Sequence, residues 1–306
     1  MRFAISIPQY ARDSRFDDDA FRAFLRRVEE LGLFESGWVQ EQVIGAAGSL
    51  APLQTLAYAA ACTEQLRLGC AVFVLPLHNP LHLAKEISSL DCLSHGRVEV
   101  GVATGGRGRP FGAFGVDADR PIARFNEALA LMKACWTERE INFDGRLWRL
   151  QGASMEPKPV QKPYPPLWFG GASEPALRRA VRMGDGFFGA GSSPTGKFAE
   201  QVQIVRAALA EAGRPAESFP VAKRVYVAVD DDAERARQRV NAALEGIYGQ
   251  RVPAIESAVI VGTTADCIRE VNQVAAAGAE LILFTALFDQ REQMERLAAD
   301  VLPELA

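Results

Sequence analysis

The chain has 306 residues, 48% of them apolar and 24% charged, with 34 Lys and Arg against 38 Asp and Glu for a net charge of −4. That composition can bury a sizeable core, excludes a disordered or collagen-like chain, and leaves no basic stripe of the kind that grips nucleic acid. No apolar run reaches the ~18 residues of a membrane span, and five scattered cysteines without a CxxC pair, beside three histidines, argue against a metal site. Free thiols of this kind suit a reducing cytoplasm, which is the expected location.

Residues 2–7 read as a first strand, since their apolar stretch is too short for a secretory leader. Residues 17–31 follow as an amphipathic helix closed by Gly32, a glycine C-cap. A second strand is expected over 35–39 and a second helix over 50–64. Residues 67–75 carry Leu68, Cys70, Val72, Phe73 and Val74, a near-continuous apolar run that fits a parallel strand covered on both faces. Helix 81–93 runs to His95-Gly96, strand 97–102 comes fourth, and helix 122–136 follows. Residues 141–164 interrupt the rhythm with a hairpin around Asp144-Gly145 and a proline-rich link. The alternation then resumes with strand 167–169, helix 175–183, strand 186–189, helix 197–212 and strand 221–229. The last of these exits into Asp230-Asp231-Asp232, a ready helix N-cap. Helix 264–277, strand 280–285 and helix 289–301 close the chain. Eight strands interleaved with helices predict one α/β domain over 1–306, a (β/α)8 TIM barrel with 141–164 inserted. The rival, an open doubly wound sheet, announces itself by a glycine fingerprint after its first strand. Here that strand exits into Ile7-Pro8-Gln9-Tyr10.

Glycines gather directly after predicted strands. Gly101, Gly105, Gly106, Gly108, Gly112 and Gly115 follow the fourth, Gly170-Gly171-Ala172-Ser173 the fifth, and Gly189, Gly191, Ser192, Ser193 and Thr195 the sixth. In a barrel these loops share the C-terminal face, where active sites lie. Tight turns explain any one loop. Three together, two with hydroxyls at helix starts, point to a phosphorylated cofactor held by backbone amides. A Walker A lysine is missing and Gly101–Gly106 matches GxGxxG poorly, which favours a flavin-type or sugar-phosphate ligand over ATP or NAD.

Several runs carry a resemblance. They are Leu75-Pro76-Leu77-His78-Asn79-Pro80-Leu81-His82, Leu90-Asp91-Cys92-Leu93-Ser94-His95-Gly96-Arg97, Phe114-Gly115, Pro157-Lys158-Pro159, Pro165-Pro166-Leu167-Trp168-Phe169-Gly170-Gly171 and Gly184-Asp185-Gly186. Together, over essentially the whole chain, they resemble the bacterial luciferase-like flavin monooxygenases, whose superfamily includes the coenzyme F420-dependent reductases. The resemblance implies a barrel that binds FMN or F420, a small-molecule substrate, a homodimer, and a flavin or F420 reductase as partner. It places a non-prolyl cis peptide at Ala71-Val72 behind the cofactor ring and Thr104-Gly105-Gly106 beside the cofactor tail. It assigns the phosphate to Gly170-Gly171-Ala172-Ser173, with Gly191-Ser192 nearby.

Departures from the family pattern sharpen these expectations. An acid followed by a histidine, common after the second strand, maps onto Glu41 and Gln42, and a carboxamide has no useful pKa near neutrality. Gly106 stands where the sugar-phosphate dehydrogenase branch has a glutamate, which disfavours that branch. Thr104 stands where luciferase has a phosphate-gripping arginine, while Arg107 and Arg109 suit a longer anionic tail; this tilts the reading toward F420 with FMN still open. Among the histidines, His95 reads as a helix-end cap, His82 as packing or capping, and His78 alone follows a strand on the active face. The expected catalytic set is therefore Gln42, Glu41, His78 and Tyr10. The expected activity is hydride transfer between F420 or FMN and a small organic substrate. The alternatives are an FMN-dependent monooxygenase using O2 and a flavin-binding protein without catalysis, for which Gln42 is the best argument.

Overall fold

A computed structural model describes residues 1–10, 15–45, 48–106, 111–117, 119–251 and 253–305. In chain order the elements are β1 (Arg2–Ser6), α1 (Asp18–Leu31), β2 (Ser36–Val39), α2 (Pro52–Cys62), β3 (Arg67–Val74), α3 (Pro80–Leu93), β4 (Val98–Ala103) and α4 (Pro121–Thr137). Then come the hairpin β5 (Ile141–Asp144) and β6 (Arg149–Ala153), β7 (Leu167–Gly170), α5 (Glu174–Met183), β8 (Gly186–Gly189), α6 (Thr195–Glu211) and β9 (Val221–Val229). The chain ends with α7 (Ala233–Tyr248), α8 (Pro253–Glu256), β10 (Ile260–Gly262), α9 (Thr264–Ala276), β11 (Leu281–Thr285) and α10 (Gln290–Arg296), which continues as a π-helical turn over Leu297–Val301.

Helix α1 shows how local sequence sets these boundaries. Asp17 accepts the Ala20 N–H at 2.9 Å, two acids occupy the first turn, and Gly32 closes the helix at φ +62°. Its apolar residues fall at i, i+3, i+4 and i+7, so Phe21, Phe24, Leu25 and Val28 are buried on one side.

The strands close into a barrel. β11, β1, β2, β3, β4, β7, β8 and β9 pair in that order, all parallel, and β9 pairs back onto β11. This is the expected TIM barrel; an open sheet would leave two unpaired edges. β10, which the sequence reading lacks, pairs with Val227–Val229 of β9, past the point where β8 ends against Lys223. Helices α7 and α8 were likewise not delimited from sequence. They pack with β10 on Tyr226 and Ala228, forming a second small core beside the C-terminal end of the barrel.

Aromatic side chains fill the lumen. Trp38, Trp168 and Phe188 meet edge to face, with Trp38 and Phe188 centroids 4.8 Å apart, among Ala4, Ala222, Leu281 and Leu283. Gly69 and Gly186 make room for them, since a Cβ there would lie 2.4 Å and 2.7 Å from the two indoles. Glu99 anchors this layer by accepting the Trp168 indole N–H at 2.5 Å and pairing with Arg67. The inserted hairpin lies outside the barrel wall. Its turn is fixed to α4, where Glu127 accepts the amides of Leu147 and Trp148 and Arg124 stacks on the Trp148 ring at 4.9 Å. Among the described residues no helix is long and apolar enough to cross a membrane, and no three metal-ligating side chains converge.

Candidate functional site

The loops after β2, β3, β4, β7 and β8 bring the expected residues to the C-terminal mouth. The Ala71–Val72 peptide is cis, and the β3–β4 register shifts between Cys70 and Phe73. Ala71 and Val72 are half-buried in a strand whose neighbouring residues are buried, so a small apolar step faces the mouth. Two glycines hold space around it. A Cβ on Gly101 would lie 2.2 Å from the Cys70 carbonyl oxygen, and one on Gly170 would crowd Val72 at 3.3 Å and Ala103 at 3.4 Å. Thr104 and Gly105, at φ +77°, are half-buried beside this step, and Gly106 is exposed. Arg107 and Arg109 lie outside the described residues.

Glu41 and His78 come together, although 37 residues separate them. His78 Nε2 and Glu41 Oε1 lie 2.6 Å apart, and Glu41 Oε2 accepts the Val74 amide at 2.7 Å. Both carboxylate oxygens are thus engaged, and Glu41 is buried while His78 keeps 24% of its side chain exposed. Phe73 supports the imidazole edge to face at 5.9 Å. Burial, with the Glu41 carboxylate adding to it, pushes the nearby Cys70 thiol well up, so it stays protonated rather than acting as a nucleophile. Gln42 does not join this pair; it is half-buried with its carboxamide against Gly45.

Tyr10 sits on another part of the rim. It bridges to Ser49, next to Gln9, whose side chain ties the exits of β1 and β2 through Gln40 and Leu50. Burial raises the Tyr10 phenol above its ordinary range, and Arg224 pulls it partly back. A cavity of about 830 Å³ opens beside it, walled by Phe16, Phe24, Ile247 and Phe288 among others. Of the expected site residues only Tyr10 lines that cavity, which does not include the Glu41–His78 pair.

Ala172 and Ser173 are exposed at the start of α5, and Ser173 caps the helix without a side-chain hydrogen bond. Gly191 is buried against Arg224 and Tyr226, while Ser192 is exposed. Arg224 and Tyr226 are the members of this rim that sequence reasoning missed, and Lys223 lies behind them on the opposite face of β9. The available signal was two adjacent basic residues inside an otherwise apolar strand.

The sequence profile of the luciferase-like monooxygenase family matches residues 1–304. The chain belongs to this family. An FMNH(2)-dependent dimethylsulfone monooxygenase of Pseudomonas putida is 31% identical over 180 residues, 58% of this chain and 48% of that protein. An F420-dependent glucose-6-phosphate dehydrogenase of Nocardia farcinica is 31% identical over 191 residues, 60% of this chain and 56% of that one. The chain thus matches about half the length of these curated luciferase-like relatives. Monooxygenase RslO1 from Streptomyces bottropensis superposes with a TM-score of 0.83 over 100% of both chains at 24% identity, a likeness of fold. Luciferase-like relatives thus include both FMN- and F420-dependent oxidoreductases.

Proposed function

We propose that the protein is an oxidoreductase that holds F420 or FMN at the C-terminal mouth and transfers a hydride to or from a small organic substrate. The observation that carries this reading is the half-buried Ala71–Val72 step, kept open by Gly101 and Gly170 and set beside the Glu41–His78 pair. A flat ring fits a small apolar shelf of this kind, and Ser173 with the first turn of α5 suits a phosphate. Either cofactor, when bound, supplies the hydride chemistry.

The chain's own residues orient and exclude water. They also manage one proton. Glu41, fixed by the Val74 amide, accepts from His78 Nε2 and leaves Nδ1 as the site where a proton is taken up or delivered. Glu41 acts through His78 and is a positioning residue. Gln42, turned onto Gly45, orients substrate rather than exchanging protons. The same reading extends to a homodimer in the cytoplasm, supplied with reduced cofactor by a separate reductase.

Fluorescence titration with F420 and with FMN tests the cofactor, followed by reduced F420 with a panel of enones, ketones and imines. Reoxidation that requires an acceptor is expected. Binding of NADPH alone would overturn the assignment. Oxygenated product formed only with reduced FMN and O2 would replace hydride transfer by monooxygenation, and binding without turnover would leave a carrier.

A further inference from the structure

Residues 222, 224 and 226 of β9 alternate onto one face, and Ala222 belongs to the lumen cluster around Trp38, so Arg224 projects into the mouth. Its guanidinium stacks over the Tyr226 ring at 4.6 Å and donates from Nη2 to the Tyr226 hydroxyl. Its Nε is buried without a hydrogen-bond partner, and among the described residues no carboxylate pairs with it. Glu41, the buried carboxylate of the mouth, bonds Val74 and His78 and makes no ion pair with Arg224.

The surroundings are arranged around this cation. Gly191 gives it room, since a Cβ there would lie 2.8 Å from Arg224 Nε and 3.1 Å from the Tyr226 ring. Lys223 points the other way, donating to the Ala190 carbonyl at 2.5 Å and the Arg224 carbonyl at 2.9 Å, which ties the loop before α6 to the strand that bears the arginine. Tyr10 adds a phenol close enough to feel the guanidinium. A part-buried guanidinium with an open donor and no counter-charge is matched by a ligand that brings the charge, and its planar fork suits carboxylate or phosphate.

We propose that Arg224, seated against Gly191 and Tyr226, receives an oxyanion, either the carboxylate of an acidic substrate or the phosphate of the cofactor. The inference rests on the mouth being the ligand site, as in the proposed function, and adds a substrate class or a cofactor contact to it.

Calorimetric titration of the full chain and of Arg224→Gln with FMN, riboflavin and benzoate separates the sources. A phosphate ligand predicts that the parent prefers FMN to riboflavin at least tenfold and that Arg224→Gln loses the preference. A carboxylate ligand predicts benzoate binding that falls at least tenfold in Arg224→Gln while the FMN-to-riboflavin ratio holds. Equal binding of all three probes by parent and variant overturns the proposal, as does a parent with neither phosphate preference nor benzoate affinity. Should Arg224→Gln fail to fold by circular dichroism, Gly191→Ala decides, because it displaces the guanidinium without removing its charge. A parent that binds benzoate through Arg224 but no flavin or F420 refutes the cofactor reading alone. A parent that binds cofactor indifferently to Arg224, with no benzoate site, refutes this one alone.

Discussion

On the β3–β4–β7 side of the mouth, Ala71, Val72, Ala103 and Gly170 present small apolar surface without charge. On the β8–β9 side, Arg224 and Tyr226 crowd a guanidinium and a phenol around Gly191, and Lys223 on the opposite face of β9 holds the adjoining Ala190 carbonyl. The first wall is shaped by leaving atoms out, so a methyl group added at Gly101 meets backbone. The second is shaped by putting charge in, and its cost depends on pH and on ligand. The one should fail sterically and the other electrostatically.

The largest effect is expected at Lys223. Burial, reinforced by Arg224, lowers its ammonium from 10.5 to about 7. Between about pH 7 and 10.5 the unfolded chain holds the extra proton, so stability rises with pH across that window and the full burial penalty applies below it. Urea denaturation of parent and Lys223→Met should show the parent gaining on the variant from pH 7 to 10, by on the order of 4 kcal/mol at most. A constant difference would place the lysine in a wetter setting than its 1% exposure indicates.

Gly101→Ala probes the opposite wall. Its Cβ would meet the Cys70 carbonyl oxygen at 2.2 Å, a backbone atom that cannot rotate away. A loss of roughly 3 kcal/mol is expected at every pH, and a variant as stable as the parent would show that the β3–β4 wall is pliant. Glu41→Ala, which strands the Val74 amide and the His78 imidazole, should cost about 2 kcal/mol. Glu41→Gln should recover part of that through its remaining acceptor oxygen. Gln42→Ala should change stability by less than ~0.5 kcal/mol and lower turnover more than cofactor affinity. Equal loss of both would move Gln42 into the cofactor site.

The two walls also differ in how far they could be read from sequence. All eight barrel strands were legible because each is an apolar run bounded by glycine, proline or a helix cap. β10 has only three residues and takes its meaning from the top of β9, a tertiary circumstance with no local pattern. The Ala71–Val72 cis peptide was legible through family motifs, whereas the room that Gly101 and Gly170 leave around it was not, since that depends on how three strands pack. Glu41 and His78 were each legible, the first from those motifs and the second from its place after β3, but their pairing was not, since only barrel closure juxtaposes the two loops. Arg224 escaped because a strand alternates its faces and either basic residue of the Lys223-Arg224 pair could have pointed outward.

Trp38, Trp168 and Phe188 block the lumen beneath the mouth. The barrel is therefore a closed cup and not a channel. On the proposed reading, a cofactor seated against Ala71 and Val72 would be covered by the substrate that follows it. Two-reactant kinetics would then follow a compulsory order, with the cofactor first in and last out.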